Sequence, residues 1–260
     1  MKLKHDELVQ ALKDLRLYTV SREYVEAAKN AEQEKFTYEQ YLANLIKLEQ
    51  SHRQNNRIKK LTKDAKIPLA KSLESYNFKI RTGITENQFN RLATGEFLRQ
   101  GGNLVFYGSF GVGKSHLAVS LTQKLCELGY RCFFSSTSAL INQLLVAKRD
   151  LELNTLLKRL DRFDLLVCDE LGYLPQNQEG ADLFFQLISQ RAERRSLLIT
   201  TNLIYSEWDK VFINPLSTAA AVDRIIHNCQ TFNIGGESYR SIIAKKRTEL
   251  LTEHQEETIQ

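Results

Sequence analysis

The clearest chemistry in the chain lies between Gly108 and Ser115. Gly108-Ser109-Phe110-Gly111-Val112-Gly113-Lys114-Ser115 has the form G-x-x-x-x-G-K-[ST], with a short apolar run before it and helix-forming residues after it. Glycines at these positions let the main chain turn tightly and aim several N–H groups inward, at an anion. The start of a following helix adds partial positive charge. Lys114 is placed to reach the β- and γ-phosphates of a nucleotide, and the Ser115 hydroxyl to ligate Mg²⁺. The pattern predicts an ATP·Mg²⁺ site. His116, next along, is expected to pack near the nucleotide rather than to catalyse.

A second constellation follows. Leu165-Leu-Val-Cys-Asp169-Glu170 is an apolar strand ending in two carboxylates. Asp169 is placed to hold the Mg²⁺ shell, and Glu170 to polarise an attacking water as general base. An isolated Asp-Glu pair more often marks a strand meeting solvent; here the buried run before it and the upstream phosphate loop favour function. Thr200-Thr201-Asn202 ends the next apolar run, where the Asn202 amide can bond both the γ-phosphate and the attacking water. Asn is also common in turns. A D-E pair in this setting points to an additional-strand ATPase, and no N-K-x-D base-reading motif of GTPases occurs.

These groups need a sheet to hold them. Asn103–Tyr107, Arg131–Ser135, Asp164–Cys168 and Leu197–Thr201 read as strands. They alternate with helical stretches over Lys114–Leu128, Thr137–Lys148, 152–160 and Glu179–Arg194. That alternation predicts βαβ units and a parallel sheet. Before residue 100 no strand-like alternation occurs. Leu8, Leu12 and Leu15 recur at helical spacing, as do Tyr38, Leu42, Leu45 and Leu48. Thr37 and Gln40 have the form of a capping box, and Pro68 would end the basic helix before it. The expected organisation is a helical module over 1–66, a linker with one helix near 86–98 over 67–100, an α/β core over 101–248 and a polar tail over 249–260.

Composition limits the remaining classes. With 42% hydrophobic and 26% charged residues in 260, the chain is an ordinary globular one. Three prolines and twelve glycines argue against an all-β fold. No apolar run approaches bilayer length and Met1–Gln10 lacks a signal-peptide core, so a cytoplasmic protein without a membrane partner is expected. Cys126, Cys132, Cys168 and Cys229 form no C-x-x-C pair and read as buried free thiols. His227 has no metal-ligand partner at readable spacing. The net charge of +5 is concentrated: Arg53, Arg57, Lys59, Lys60, Lys63 and Lys66 stand against Asp64 alone. Such a run is usually a solvated helix face. On the run alone the solvated face is the favoured reading; its single sign, together with the resemblance of the core after it to DNA-acting ATPases, points instead to phosphate contacts on DNA.

The strings Gly108–Ser115, Asp169-Glu-Leu-Gly-Tyr-Leu-Pro175, Thr200-Thr-Asn202, Ser206-Glu-Trp208 and Gly236-Glu-Ser-Tyr-Arg240 resemble those of the IstB-like ATPases. These are transposition helpers of insertion sequences, related to the DnaC helicase loaders. Leu12-Lys-Asp-Leu-Arg-Leu17, Ala65-Lys-Ile-Pro68 and Leu92-Ala-Thr-Gly-Glu-Phe97 extend the resemblance over nearly the whole chain. It implies an AAA+ P-loop core with its sheet flanked by helices, behind a small helical N-terminal domain. It further implies a homo-oligomer formed with ATP on double-stranded DNA, and a transposase as partner. Asp223-Arg224-Ile-Ile-His227 resembles the family's D-R-L-L-H segment and makes Arg224 the candidate arginine finger, with Arg194 and Arg195 as competitors. Arg240 would be a second γ-phosphate sensor. Ser115 departs from the threonine of many members, and either hydroxyl can ligate Mg²⁺. A helicase loader of the same fold and a DNA-binding scaffold with negligible hydrolysis are the alternatives. Glu170 argues against the scaffold, and a small-molecule kinase lacks an evident acceptor pocket.

Overall fold

The computed structural model describes residues 5–68, 76–80, 82–172, 178–212 and 214–238, with Lys79 in its main chain alone. The chain divides into two compact units, Met1–Lys60 and Leu61–Gln260, where the sequence had placed the boundary at 66.

The first unit is built from α1 (His5–Asp14), α2 (Tyr18–Gln33) and most of α3 (Tyr38–Asp64). Its core is small: Val20, Ala27 and Leu45, flanked by Leu12, Leu17, Tyr24 and Tyr41. The Thr37 box forms as expected, with Thr37 N–H donating to Gln40 Oε1 and Gln40 N–H to Thr37 Oγ1. The apolar face read from Tyr38, Leu42, Leu45 and Leu48 is mostly uncovered, since Leu45 alone is buried and Tyr38 is 95% exposed. Helix α2 has no local side-chain cap. A distant carboxylate replaces it: buried Glu49 accepts the N–H groups of Thr19 at 2.7 Å and Val20 at 3.2 Å, which also favours the positive end of the helix.

The second unit is a five-stranded parallel sheet between two helical layers. The strands are β1 (Asn103–Tyr107), β2 (Cys132–Ser136), β3 (Leu165–Leu171), β4 (Ser196–Thr201) and β5 (Cys229–Asn233), in spatial order β2-β3-β4-β1-β5. Side chains alternate between the faces, as a pleated strand requires. Leu104, Phe106, Leu165, Val167 and Leu198 face one core, with α4 (Glu86–Ala93) and α6 (Lys114–Glu127). Val105, Leu166, Cys168, Leu197 and Ile199 face the other. That layer holds α7 (Thr137–Arg149), α8 (Leu153–Leu160), α9 (Gln178–Arg191), α10 (Asp209–Phe212) and α11 (Pro215–Ile226).

Three features depart from the sequence reading. The helix expected near 86–98 is two: α4 ends before Gly95, which takes φ 74°, and α5 (Glu96–Arg99) begins after it. A Cβ on Gly95 would lie 2.4 Å from the Tyr130 ring. β5 was not expected. It is an edge strand with only Phe232 buried, so it shows no apolar pattern. Cys229 is half-buried, whereas Cys126, Cys132 and Cys168 are buried; all four are free thiols. The opposite edge strand, β2, is covered by the chain after α3: Phe134 N–H donates to the Ala65 carbonyl at 2.8 Å.

Candidate nucleotide site

In a parallel sheet the C-terminal ends of the strands face one edge, and ligands bind there where the strand order reverses. β1 lies between β4 and β5, and β3 is on the far side of β4. The loop after β1, the end of β3 and the end of β4 therefore share an edge. They carry Gly108–Ser115, Asp169-Glu170 and Asn202 respectively.

The loop is shaped by its glycines. Gly108, Gly111 and Gly113 all have positive φ, a region costly to other residues. They are also crowded. A Cβ on Gly108 would meet the Ile234 carbonyl oxygen at 2.1 Å, and one on Gly111 would meet Ser238 Oγ at 2.2 Å. A Cβ on Gly113 would meet the Tyr76 ring at 2.9 Å, and Gly113 opens α6 as its N-cap. Val112 is buried and anchors the loop, whereas Ser109 and Phe110 are exposed at its tip. Lys114 folds back over it, with Nζ donating to the carbonyls of Gly108 at 2.8 Å and Ser109 at 2.7 Å. Burial lowers the Lys114 pKa, against the opposing pull of the Asp169 and Glu170 carboxylates. Ser115 follows in the first turn of α6. A glycine cradle, a lysine and two acids is the donor set that ATP with Mg²⁺ requires.

The end of β3 is not a regular strand. Cys168 pairs with Ile199 and Leu171 with Thr201, so Asp169 and Glu170 together oppose Thr200. This is a β-bulge, which re-aims side chains, and Glu170 sits in it at φ 61°. Asp169 stays buried while Glu170 is exposed. Thr200 Oγ1 donates to Asp169 Oδ1 at 2.5 Å and accepts the Glu170 N–H at 2.9 Å. Asn202 is half-buried just beyond, with its Oδ1 3.1 Å from where a Cβ on Gly172 would stand.

Other groups were not visible in the sequence. Tyr76 packs edge-on to His116 at 5.3 Å between ring centres, placing His116 in an aromatic cluster beside the loop. Thr82 and Gly235 exchange main-chain hydrogen bonds at 3.2 and 3.1 Å, tying the linker to the end of β5. Ser238, in the Gly236-Glu-Ser stretch, reaches the loop itself. No short-range spacing announces these contacts.

The arginines divide by location. Arg224, on α11, donates to the Ala220 carbonyl at 3.0 Å and lies over the Phe185 ring. Arg194 and Arg195 precede β4, at the opposite edge of the sheet, and pair with Asp161 and Asp164, each at 2.8 Å. Arg240 and residues 173–177 lie outside the described residues. His227 caps the C-terminus of α11. Of the basic run, Arg57, Lys59, Lys60, Lys63 and Lys66 are exposed. Lys66 Nζ stands 5.4 Å from the Phe133 ring centre. Arg53 is engaged within its own unit. Its Nε donates to Glu49 Oε1 at 2.8 Å and its Nη2 to the Arg16 carbonyl. Among the described residues no group of three or more histidine, cysteine, aspartate or glutamate side chains is placed to hold a metal ion, and no helix is long and apolar enough to cross a membrane.

The profile of the IstB-like ATP binding protein family matches residues 10–248. The chain belongs to this family. A Sinorhizobium fredii protein named as an insertion-sequence ATP-binding protein is 37% identical over 246 residues, covering 92% of this chain and 83% of its own. A Pseudomonas aeruginosa protein named for the insertion sequence IS21 is 32% identical over 248 residues, covering 95% and 93%. Among solved structures, the DnaC helicase loader superposes with a TM-score of 0.54 at 22% identity, over 64% of this chain and 98% of that one. DnaA from Aquifex aeolicus bound to AMPPCP gives 0.52 at 19%, over 71% and 56%. The fold is thus that of the AAA+ P-loop proteins, and the IstB-like chain binds ATP.

Proposed function

We propose that this IstB-like protein is an ATP-hydrolysing, DNA-binding helper of transposition. The observation that carries the hydrolytic part is the bulged Asp169-Glu170 pair at the C-terminal end of β3, on the same sheet edge as the Lys114 loop. It presents a buried carboxylate for a metal and an exposed one for a base. Lys114 leaves its loop carbonyls for the β- and γ-phosphates. Ser115 and Asp169 would hold Mg²⁺, which supplies charge neutralisation on the phosphates when bound. Glu170 takes the proton of the attacking water, and Asn202 orients that water. A neighbouring subunit's Arg224 stabilises the transferring phosphoryl group, and Arg240 acts as second sensor. The arginine finger requires subunits assembled head to tail, along or around duplex DNA. The names of the relatives support a partner transposase, which the DNA-bound assembly would recruit or stimulate.

DNA contact is assigned to Arg57, Lys59, Lys60, Lys63 and Lys66. Arg57 and Lys60 fall on one side of α3, with Lys59 and Lys63 four apart beside them. Arg53 contributes by ordering the unit as well as by charge. The test is steady-state ATP hydrolysis with and without duplex DNA, on wild type, Glu170→Gln and the triple reversal of Lys59, Lys60 and Lys63 to Glu. Duplex-stimulated turnover is expected in wild type, falling at least about a hundredfold in E170Q. In the reversal, basal turnover should persist while salt-dependent DNA affinity is lost. Turnover in E170Q equal to wild type removes the base assignment. Unchanged DNA affinity in the reversal removes the DNA assignment. Stimulation by single strands alone would shift the reading to a helicase loader.

A further inference from the structure

The bulge takes Asp169 and Glu170 out of the β3–β4 ladder, while Asp169 stays in register with Ser136 of β2, and the main-chain groups facing β4 must find other partners. Threonine hydroxyls supply them. Thr137, opening α7, donates to the Asp169 carbonyl at 3.0 Å. Thr201 donates to the Leu171 carbonyl at 2.7 Å and accepts the Leu203 N–H at 3.0 Å. Between these two, Thr200 accepts the Glu170 N–H and donates to the Asp169 carboxylate. Thr137 and Thr200 are wholly buried and Thr201 nearly so. A hydroxyl has one hydrogen to give. With that hydrogen on Asp169, the Thr200 oxygen is directed by geometry at the Glu170 amide, so one atom fixes both acids.

From this arrangement we infer that Thr200 is a positioning residue for ATP hydrolysis: its hydroxyl sets the main chain of Glu170 against the carboxylate of Asp169. The inference rests on the hydrolytic reading above. It assigns to a buried strand residue a role that neither its type nor its place in Thr200-Thr201-Asn202 announces. Thr201 holds the following residue and serves as a comparison. Its hydroxyl touches neither acid, so its loss should affect the turn at Leu203 more than turnover.

Thr200→Val keeps the shape and the β-branch and removes only the hydroxyl. Thr200→Ser restores the hydroxyl, and Thr200→Ala pairs with it should valine fail to fold. Steady-state kinetics should show kcat lowered about ten- to a hundredfold in T200V and T200A, since small displacements of a reacting group have effects of that size. KM for ATP should stay within about threefold, and T200S within about threefold of wild type in kcat. Hydrogen–deuterium exchange supplies a readout independent of turnover. The Glu170 amide should exchange at least about tenfold faster in T200V and T200A than in wild type or T200S, with the 114–127 helix unchanged. A T200V protein with wild-type kcat overturns the inference, as does a T200S protein as impaired as T200A. If wild type shows no turnover, the hydrolytic reading fails by itself. The exchange of the Glu170 amide then decides whether Thr200 frames the pair: no acceleration in T200V or T200A refutes it, and acceleration sustains its structural half while removing its role in hydrolysis.

Discussion

Replacing Arg191 by methionine should loosen the ATPase unit without touching its nucleotide site. Arg191 ends α9 and is wholly buried. Its Nη1 donates to the Leu160 carbonyl at 2.8 Å, and its Nη2 to those of Phe163 at 2.9 Å and Ser196 at 3.0 Å. These carbonyls lie at the end of α8, in the loop before β3 and at the start of β4, so one guanidinium joins three segments at the N-terminal edge of the sheet. Burial pushes its pKa down to about 10, so it is charged at neutral pH. Hydrogen bonds to a charged group contribute about 1.5–3 kcal/mol each, and desolvating the ion offsets several kcal/mol of that sum. Methionine removes both terms but leaves three carbonyls behind, and an unsatisfied buried acceptor costs about 1–3 kcal/mol. The net expectation is a loss of about 3 kcal/mol, or about 6–12 °C in Tm for a unit of this size. Arg191→Lys, whose ammonium lacks the planar fork, should fall between. Thermal melts followed by circular dichroism, with a fluorescent ATP analogue titrated below the transition, measure both properties. Nucleotide affinity should stay within about twofold, because the phosphate loop is at the other edge. A methionine variant as stable as wild type would refute the reasoning. Arg191 would then resemble those buried ions whose apolar replacement is neutral or better.

Two further outcomes follow from other sites. Gly108→Ala should lower ATP affinity at least about tenfold, since a Cβ there would press on the Ile234 carbonyl. The left-handed backbone adds about 1–3 kcal/mol of strain; equilibrium titration with the same analogue reports it, and unchanged affinity would contradict the crowding. The second concerns acid stability. Burial alone would raise the Glu49 pKa, but the Arg53 guanidinium and the N–H groups of Val20 and Thr19 outweigh it and hold the carboxyl below its ordinary 4.5. A depressed carboxylate stabilises fully above that ordinary value and loses its contribution as pH falls through the lower folded value. Thermal melts from pH 6 down to 3.5 should therefore show Glu49→Gln less stable at pH 6, with the gap to wild type closing below about 4.5. A gap that persists unchanged at pH 3.5 would remove the linkage.

Much of the site was legible because its chemistry is local. The Gly108–Ser115 loop is one continuous string, and the strands β1 to β4 are short apolar runs between helices. What stayed hidden is what distant segments do to one another. β5 buries only Phe232 and so carries no pattern. Tyr76 and Ser238 reach the loop from opposite ends of the unit's sequence. The basic run was read as one surface, yet Arg53 is engaged by Glu49 and the Arg16 carbonyl. Charge counts do not distinguish a cation offered to a ligand from one holding a helix in place.

The bulge at Asp169-Glu170 shows how a trace can exist in a sequence without being readable by itself. Strict alternation from Leu165 puts Val167, Asp169 and Leu171 on one face, and Leu166, Cys168 and Glu170 on the other. Leu171 instead lies in the same core as Leu166 and Cys168, so the period has slipped by one residue between Cys168 and Leu171. The slip solves a conflict. A regular strand would drive the Glu170 carboxylate into the apolar layer that holds Leu166 and Cys168. Unpaired burial of a charge there would be far costlier than one left-handed residue. With the bulge, leucine fills the layer and the glutamate turns out at the strand end, one residue from a buried aspartate. The threonines complete the solution by satisfying what the slip exposes. A base beside a metal carboxylate on an otherwise apolar strand thus requires both the irregular backbone and hydroxyls on the neighbouring strand, and Thr200, opposite the slip, provides the hydroxyl that touches both acids.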